Sequence, residues 1–467
     1  MLSTQEKIST ASSDVPSFVP IRIMEVELRQ PLSNVSTFDE KTGHHYHRAL
    51  CVVRLHSQPL GIVELELGEE GLSADECARC IWHTLAVQII DHLQQDGLPV
   101  VTELREAGLS CLRTPSCIEE RERFMVDAPF VSVIIPTHER PEQLAACLSS
   151  LMSLQYPHYE VIVVDNAPET GATADLVEKL SHDAPHFRYV REDLPGPSWA
   201  RNRGIMVARG TILAFADDDV VVDPYWLVEL VRAFSVDNDV ACVTGLLLPL
   251  ELETFAQFLF EEHGGFNRGF TSRIFKRNMG KNSLPMPFHP YAAGRFGTGA
   301  SMAFTSGFLH SMGGFDPSLG GNGPSRNGQD IAVFFQVIMQ GYKLVYQPRA
   351  LAYHLHRRDY AGLRKQIYNY GIGFTAFLMK SVLENPLLLF DLIAKVPYAL
   401  FFVLNPQSPK NSKKSQGDQK KLTMLMRKGM LYGPLAYLQS RHKMHRMHKV
   451  LARGNSHVVA LKGKLVR

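Results

Sequence analysis

Four short apolar runs spaced by helix-length segments leave residues 130–216 few folds to choose from. Phe130-Val-Ser-Val-Ile-Ile-Pro136, Tyr159-Glu-Val-Ile-Val-Val164, Phe187 to Val190 and Thr211 to Ala216 each read as a buried strand. Helical segments fill the gaps at Pro141 to Leu154, Ala172 to Leu180 and roughly Ser198 to Ala208. Apolar strands alternating with helices imply a parallel sheet covered on both faces. Open α/β sheets of this kind bind their ligands at the carboxyl ends of the strands.

The last run ends in Asp217, Asp218 and Asp219. Adjacent carboxylates repel one another unless something positive neutralises them. Oxygen donors suit Mg²⁺ or Mn²⁺, ions that usually bring phosphates with them. Alone, the triplet could be a solvated acidic turn before Pro224. Its company argues otherwise. The first strand ends in Pro136-Thr137-His138-Glu139-Arg140, the second in Asp165-Asn166, and the helix after Pro195-Gly196-Pro197 carries Arg201-Asn202-Arg203-Gly204. Topology alone sends these groups to one crevice. A carboxylate there can accept hydrogen bonds from a base or ribose, arginine can fork to or stack on a nucleotide, and a triplet-bound metal can hold a diphosphate. A sugar-phosphate nucleotidyltransferase would need a glycine-rich loop after the first strand to cradle a triphosphate. Residues Pro136 to Arg140 contain no glycine.

Together, Val-Ser-Val-Ile-Ile-Pro-Thr-His-Glu-Arg, Glu-Val-Ile-Val-Val-Asp-Asn, Ala-Arg-Asn-Arg-Gly and Phe-Ala-Asp-Asp-Asp resemble the donor half of a family 2 glycosyltransferase. The resemblance runs from about Phe130 to Asp359. It implies the GT-A fold, an α/β architecture with a mostly parallel sheet flanked by helices. It also implies metal-dependent, inverting transfer of a hexosyl unit from a nucleotide sugar, expected to be a UDP-sugar. The acceptor would be a hydroxyl on a glycan, a lipid-linked sugar or a small molecule, in cell-surface or polysaccharide glycoconjugate synthesis. By resemblance, Thr137, Glu139 and Asp165 bind the nucleoside, and Arg201 holds base or phosphate. Asp217 and Asp218 support the ribose, while Asp219, with Asp217, ligates Mg²⁺ or Mn²⁺.

The acceptor half extends the likeness through Gly297-Thr-Gly-Ala-Ser-Met-Ala-Phe304, Gly313-Gly-Phe-Asp-Pro317 and Asn327-Gly-Gln-Asp330. Asp330 is the expected general base. Gln329 replaces the family's usual Glu, and Ser301 stands where relatives often carry Asn. His354 is expected as a metal ligand or diphosphate contact, with His356 and Arg357 as flanking surface. The alternative is a catalytically silent relative acting as a binding subunit, a reading that Gln329 keeps open.

Around this domain, placed at 129–359 with a nucleotide-binding half at 129–220 and an acceptor half at 221–359, other segments are expected. A polar, disordered stretch occupies 1–19. A small α+β accessory domain covers 20–97, with strands at Ile21–Leu28, Ala49–Leu55 and Gly61–Leu67 and a helix from Ala74 to Leu93. A connector follows at 98–128, and 360–467 forms a helical, basic tail. Glu251 to Arg295 reads as an acceptor loop or lid, or equally as a poorly ordered insertion. The apolar stretch Asn385 to Leu404 is interrupted by Asp391, Lys395 and Pro397, so it lies at a membrane interface or packs on the body rather than spanning.

Charge is distributed unevenly: Asn405 to Arg467 holds 15 Lys and Arg against one acid, while the remainder holds 34 basic and 46 acidic residues. An acidic body argues against nucleic acid as a partner, and a basic tail suits an anionic membrane surface; a solvated tail is the bland alternative. Seven cysteines show no framework of paired spacings, and Met1 to Val15 lacks an apolar signal core. A cytoplasmic protein, peripheral on the inner membrane face, is expected. Cys77 and Cys80 lack a second pair to complete a zinc site, and His44, His45 and His47 read as an exposed loop.

Overall fold

The computed structural model describes residues 18–40, 42–110, 113–279, 288–404 and 417–464. The disordered stretch expected at 1–19 therefore lies almost wholly outside the described residues.

The chain opens with β1 (Arg22–Glu27), the short β2 (Phe38–Asp39) and β3 (His44–His45), then β4 (Arg48–Leu55) and β5 (Gln58–Glu66). β1 runs parallel to β4 and β5 antiparallel to it, giving a three-stranded sheet. Helix α1 (Ala74–Gln95) covers one face, burying Cys77, Ile81, Leu85, Ile89 and Leu93. A capping box starts it: the Ser73 hydroxyl accepts from the Glu76 N–H, and the Glu76 carboxylate accepts from the Ser73 N–H. Cys77 is core packing and Cys80 is exposed.

Residues 98–128 do more than connect. Leu98 and Leu104 complete the accessory core, and α2 (Ser116–Val126) follows. The apolar positions of α2 are too sparse to betray it as a helix in the sequence. Its buried Arg121 sits 3.7 Å over the Tyr225 ring and 3.7 Å from Glu229.

The main sheet is built from β6 (Val131–Thr137), α3 (Pro141–Met152), β7 (Tyr159–Asn166), α4 (Ala172–Asp183), β8 (Phe187–Glu192), α5 (Pro197–Val207) and β9 (Ile212–Ala216). Then come β10 (Val220–Val222), α6 (Trp226–Arg232), β11 (Val240–Pro249), α7 (Phe255–His263), β12 (Arg273–Phe275), β13 (Ser301–Thr305), α8 (Ser306–Met312), α9 (Pro317–Gly320), α10 (Gln329–Met339) and β14 (Lys343–His354). The strand order is β10-β14-β11-β13-β9-β6-β7-β8, with β12 paired to β14. β6 to β9 are mutually parallel, as are β11 and β14, and β13 runs antiparallel between these two parallel groups. Ile134, Ile162, Leu213 and Phe215 face one core, while Val133, Ile135, Val161, Val163 and Ala214 face the other. Burial on both faces is why these strands read as continuous apolar runs.

Three helices complete the chain: α11 (Tyr360–Glu384), α12 (Leu388–Leu404) and α13 (Gly417–Lys464). Over residues 417–444 the basic segment is a helix docked on the body rather than a solvated tail. A Cβ on Gly371 of α11 would lie 2.0 Å from the Met426 carbonyl, and one on Gly429 of α13 would lie 2.2 Å from that of Tyr368. The two backbones touch because these positions have no side chain. Thr375 Oγ1 adds a hydrogen bond to the Met430 carbonyl at 2.7 Å. Leu422, Ala436, Tyr437 and Met444 are buried. The basic residues at 405–416 and 465–467 lie outside the described residues. Before and along α12, Leu387, Leu389, Phe390 and Ile393 are exposed, while Leu388 and Leu392 touch the core. No helix among the described residues is long and apolar enough to cross a membrane.

Candidate active site

The carboxyl ends of β6, β7 and β9 and the amino ends of α5 and α10 open onto a cavity of about 850 Å³. Asp217, Asp218 and Asp219 form the turn between β9 and β10, closed by the Val220 N–H donating to the Asp217 carbonyl at 3.2 Å. Three cationic or hydroxyl groups answer them. Thr137 Oγ1 donates to Asp218 Oδ2 at 2.8 Å, and Arg140 Nη1 reaches Asp218 Oδ1 at 3.2 Å and Asp219 Oδ2 at 3.3 Å. Arg201 Nη2 donates to Asp217 Oδ1 at 2.7 Å.

These partners do not balance the cluster. Burial, then the charge of Asp219, pushes the Asp218 carboxyl up to about 6 against the pull of Arg140. Asp219 is raised as well, by burial and then by Asp217. Arg201 uses only part of its fork: Nε and Nη1 are buried and have no hydrogen-bond partner.

Asp165 and Glu139 do not line the cavity. Asp165 is fully buried at the end of β7, where Oδ2 accepts from the Tyr189 hydroxyl at 3.0 Å and Oδ1 is without a partner. Burial pushes its carboxyl up. Glu139 has φ of 51° and turns sideways, accepting from the N–H groups of Glu169 at 2.8 Å and Thr170 at 3.0 Å. Its carboxylate thereby holds the turn before α4. His138 and Asn166 line the cavity at this end instead, joined by His138 Nδ1 and the Asn166 carbonyl at 2.7 Å.

On the opposite wall Asp330 is the second residue of α10, after Gly328 at φ of 101°. Its Oδ2 accepts from the Gly299 N–H at 3.0 Å, which fixes the carboxylate at the cavity. Gln329 also borders the cavity, and its Oε1 is buried without a partner. Ser301 faces elsewhere: it is fully buried, and its hydroxyl accepts from the Trp226 indole N–H at 2.9 Å.

His354 ends β14 with Nε2 at 3.3 Å from Asp219 Oδ1, and burial holds its pKa down at about 3. His354 Nδ1 lies 2.9 Å from His356 Nδ1, and His356 Nε2 lies 2.7 Å from Glu261 Oε1. His356 is therefore buried, not flanking surface as expected, and Arg357 lines the cavity. With neutral rings, His356 donates to Glu261 and accepts from His354, leaving the His354 Nε2 lone pair turned toward Asp219.

The segment from Glu251 to Arg295 is more regular than its composition suggests. A Thr254–Gln257 capping box starts α7, Phe266 stands edge-on to His354 with ring centroids 5.0 Å apart, and Arg268 binds the carbonyls of Gly265 and Gly294 at 3.0 and 3.2 Å. Residues 280–287 of the segment lie outside the described residues. Further lining comes from Arg326 and, on α11, from Lys365, Asn369 and Tyr370. These α11 residues were not legible in the sequence because they lie past the recognisable motifs. Arg140 could have been found, since it directly follows a strand-end motif.

Residues 132–297 match the family model for glycosyl transferase family 2. The chain is 39% identical over 110 residues to the glycosyltransferase AglE of Haloferax volcanii, covering 23% of this chain and 36% of that protein. It is 33% identical over 155 residues to the O-antigen biosynthesis protein RfbC of Myxococcus xanthus, covering 30% of this chain and 12% of that protein. The chain thus spans about a third or less of the length of these two relatives. Among solved structures, the mannosyltransferase PcManGT of Pyrobaculum calidifontis, in complex with GDP-Man and Mn²⁺, aligns at 17% identity with a TM-score of 0.41, covering 70% of this chain and 92% of that one. Residues 132–297 thus match glycosyl transferase family 2, and they carry its motifs on the α/β sheet that those motifs imply.

Proposed function

We propose that this chain is a metal-dependent, inverting hexosyltransferase using a nucleotide sugar, in our reading a UDP-sugar, and a hydroxyl acceptor. One observation carries the reading: an over-charged carboxylate turn and the fixed carboxylate of Asp330 face the same cavity. The residues fit a divalent cation, because the His354 lone pair and Asp219 Oδ1 stand 3.3 Å apart and burial opposes the charge on Asp218 and Asp219. Asp219, Asp217 and His354 would hold Mg²⁺ or Mn²⁺, hard ions suited to carboxylate oxygen. When bound, the ion supplies positive charge for the departing diphosphate.

The chain's own groups do the rest. The unpaired Nε and Nη1 of Arg201 are free to donate to phosphate or ribose oxygens. Asp165, buried and bonded to the Tyr189 hydroxyl, braces the end of β7 without reaching the cavity, while Asp217, Asp218 and Thr137 shape the ribose side. Asp330 takes the proton of the acceptor hydroxyl as its oxygen attacks the anomeric carbon opposite the leaving diphosphate, which inverts that centre. The Gly299 N–H keeps the carboxylate aimed at the cavity. Phe266 and Arg268 border the cavity and help to exclude water from the reacting centre.

The O-antigen biosynthesis protein among the relatives supports a place in surface glycan synthesis. Exposed Leu387, Phe390 and Ile393, together with the basic α13, support peripheral attachment to an anionic membrane from the cytoplasmic side. Aspartate at Phe390 and Ile393 should then abolish sedimentation with anionic vesicles; unchanged binding refutes the attachment.

A panel of nucleotide sugars with Mn²⁺, read first by thermal shift and then by donor turnover, tests the activity. One donor should raise the melting temperature only with metal and should be consumed. Tight binding without turnover of any donor, with acceptors supplied, would instead make the chain a silent binding subunit.

A further inference from the structure

A second polar cluster lies in the accessory region, away from everything the proposed reaction uses. His56 occupies the two-residue turn joining β4 to β5, with φ of 56°. His92 and Asp96 stand one turn apart at the carboxyl end of α1, and Cys117 is the second residue of α2. All four are buried, and their donor atoms lie within 4.8 Å of one another.

The distances are those of a shared centre. His56 Nδ1 is 3.0 Å from His92 Nε2 and 2.8 Å from Asp96 Oδ2, and His92 Nε2 is 3.2 Å from the same oxygen. Cys117 Sγ is 3.0 Å from it as well. Protons do not satisfy this triangle. If both rings donate to Asp96, two N–H groups confront each other; if one ring donates to the other, a lone pair confronts the carboxylate. His56 Nε2 has no partner either, so nothing on the far side of the ring explains its placement.

We propose that His56 Nδ1, His92 Nε2, Asp96 Oδ2 and Cys117 Sγ bind one Zn²⁺ ion. Tetrahedral bonds of about 2.0–2.3 Å put donor atoms about 3.3–3.7 Å apart, so the contacts among His56, His92, Asp96 and Cys117 at 2.8–3.2 Å need to lengthen slightly while the thiol and the imidazoles, within 4.8 Å, settle around the ion. Two imidazoles, a thiolate and a carboxylate form a borderline-soft set that selects Zn²⁺ over the Mg²⁺ or Mn²⁺ suited to the aspartate turn. Binding displaces the Cys117 thiol proton to solvent and leaves both imidazoles neutral. With four protein ligands no position remains for substrate, so the ion is structural. It pins the β4–β5 turn and the end of α1 to α2, the helix whose Arg121 rests on Tyr225 and Glu229 of the catalytic domain. The accessory sheet is thereby clamped to the glycosyltransferase.

The full chain, purified without added chelator, should contain about one equivalent of zinc by elemental analysis. Reconstitution of the stripped protein with Co²⁺ should give the intense visible bands of a tetrahedral site and a thiolate-to-cobalt charge-transfer band. Cys117→Ala should lose that band, while Asp219→Asn should keep it, which separates this site from the aspartate turn. The wild-type cobalt spectrum decides the matter even if Cys117→Ala does not fold. Failure of the wild type to bind an equivalent of Zn²⁺ or Co²⁺, or a cobalt spectrum without a thiolate band, overturns the proposal.

Discussion

The aspartate turn at the cavity and the His56–His92–Asp96–Cys117 cluster both bury carboxylates, yet the fold treats them in opposite ways. At the turn, three acidic side chains share two arginines, and burial drives Asp218 up to about 6. In the accessory cluster burial also pushes upward, but hydrogen bonds from His56, His92 and Cys117 outweigh it and hold Asp96 well below the usual carboxylate range. The first cluster carries surplus negative charge and opens onto a cavity. The second is closed on every side, and its donors favour the charged carboxylate. Surplus charge left open is what a site needs to take up and release a metal–diphosphate; closure is what a permanent fastening needs.

Cutting into each cluster should therefore move stability in opposite directions. His92→Ala leaves Asp96 buried with a lost partner and empties space at the end of α1, so it should cost about 3 kcal/mol in chemical denaturation. A neutral or stabilising result would mean that the cluster is not fastened through His92. Asp219→Asn removes one of the repelling charges, so the metal-free protein should gain about 1–2 kcal/mol while losing its Mn²⁺-dependent thermal shift. Retention of that shift would remove Asp219 from the metal site.

Acid sharpens the contrast, because the two windows differ. A carboxyl raised in the fold binds its proton more tightly in the native than in the unfolded chain. The aspartate turn therefore stabilises the metal-free protein as pH falls from about 7 toward 4. Asp96 is lowered in the fold, so its contribution is lost only below the ordinary carboxylate range. Denaturation midpoints of wild type and Asp219→Asn across that range should converge toward pH 4. Parallel curves would show that the turn is not under charge strain.

What could be read in the sequence follows the same division. Strands β6, β7 and β9 were legible because burial on both faces writes an uninterrupted apolar run, and the aspartate triplet was legible because its residues are contiguous. The roles of single side chains were less accessible. Glu139 sits inside a recognisable motif, yet its positive φ turns it onto Thr170 and away from the cavity. His356 looked like surface because nothing nearby announced Glu261, which lies on α7 and meets it only in three dimensions. The docking of α13 depends on Gly371 and Gly429, whose message is an absence of side chain, while its many basic residues suggested an anionic membrane surface. The four residues of the accessory cluster come from three segments, and only His92 and Asp96 share a local spacing.

Asp330→Asn, assayed for donor transfer and for binding of the Mn²⁺–nucleoside diphosphate, tests the central claim most directly. The substitution keeps the side chain's shape and its contact with the Gly299 N–H but removes the base. Turnover should fall by about 10²–10⁴-fold with nucleotide affinity unchanged, the split expected of a group that acts on the acceptor proton alone. Transfer at an unaltered rate, or affinity lost in step with turnover, would contradict the assignment of Asp330 and with it the proposed division of the cavity into donor clamp and catalytic base.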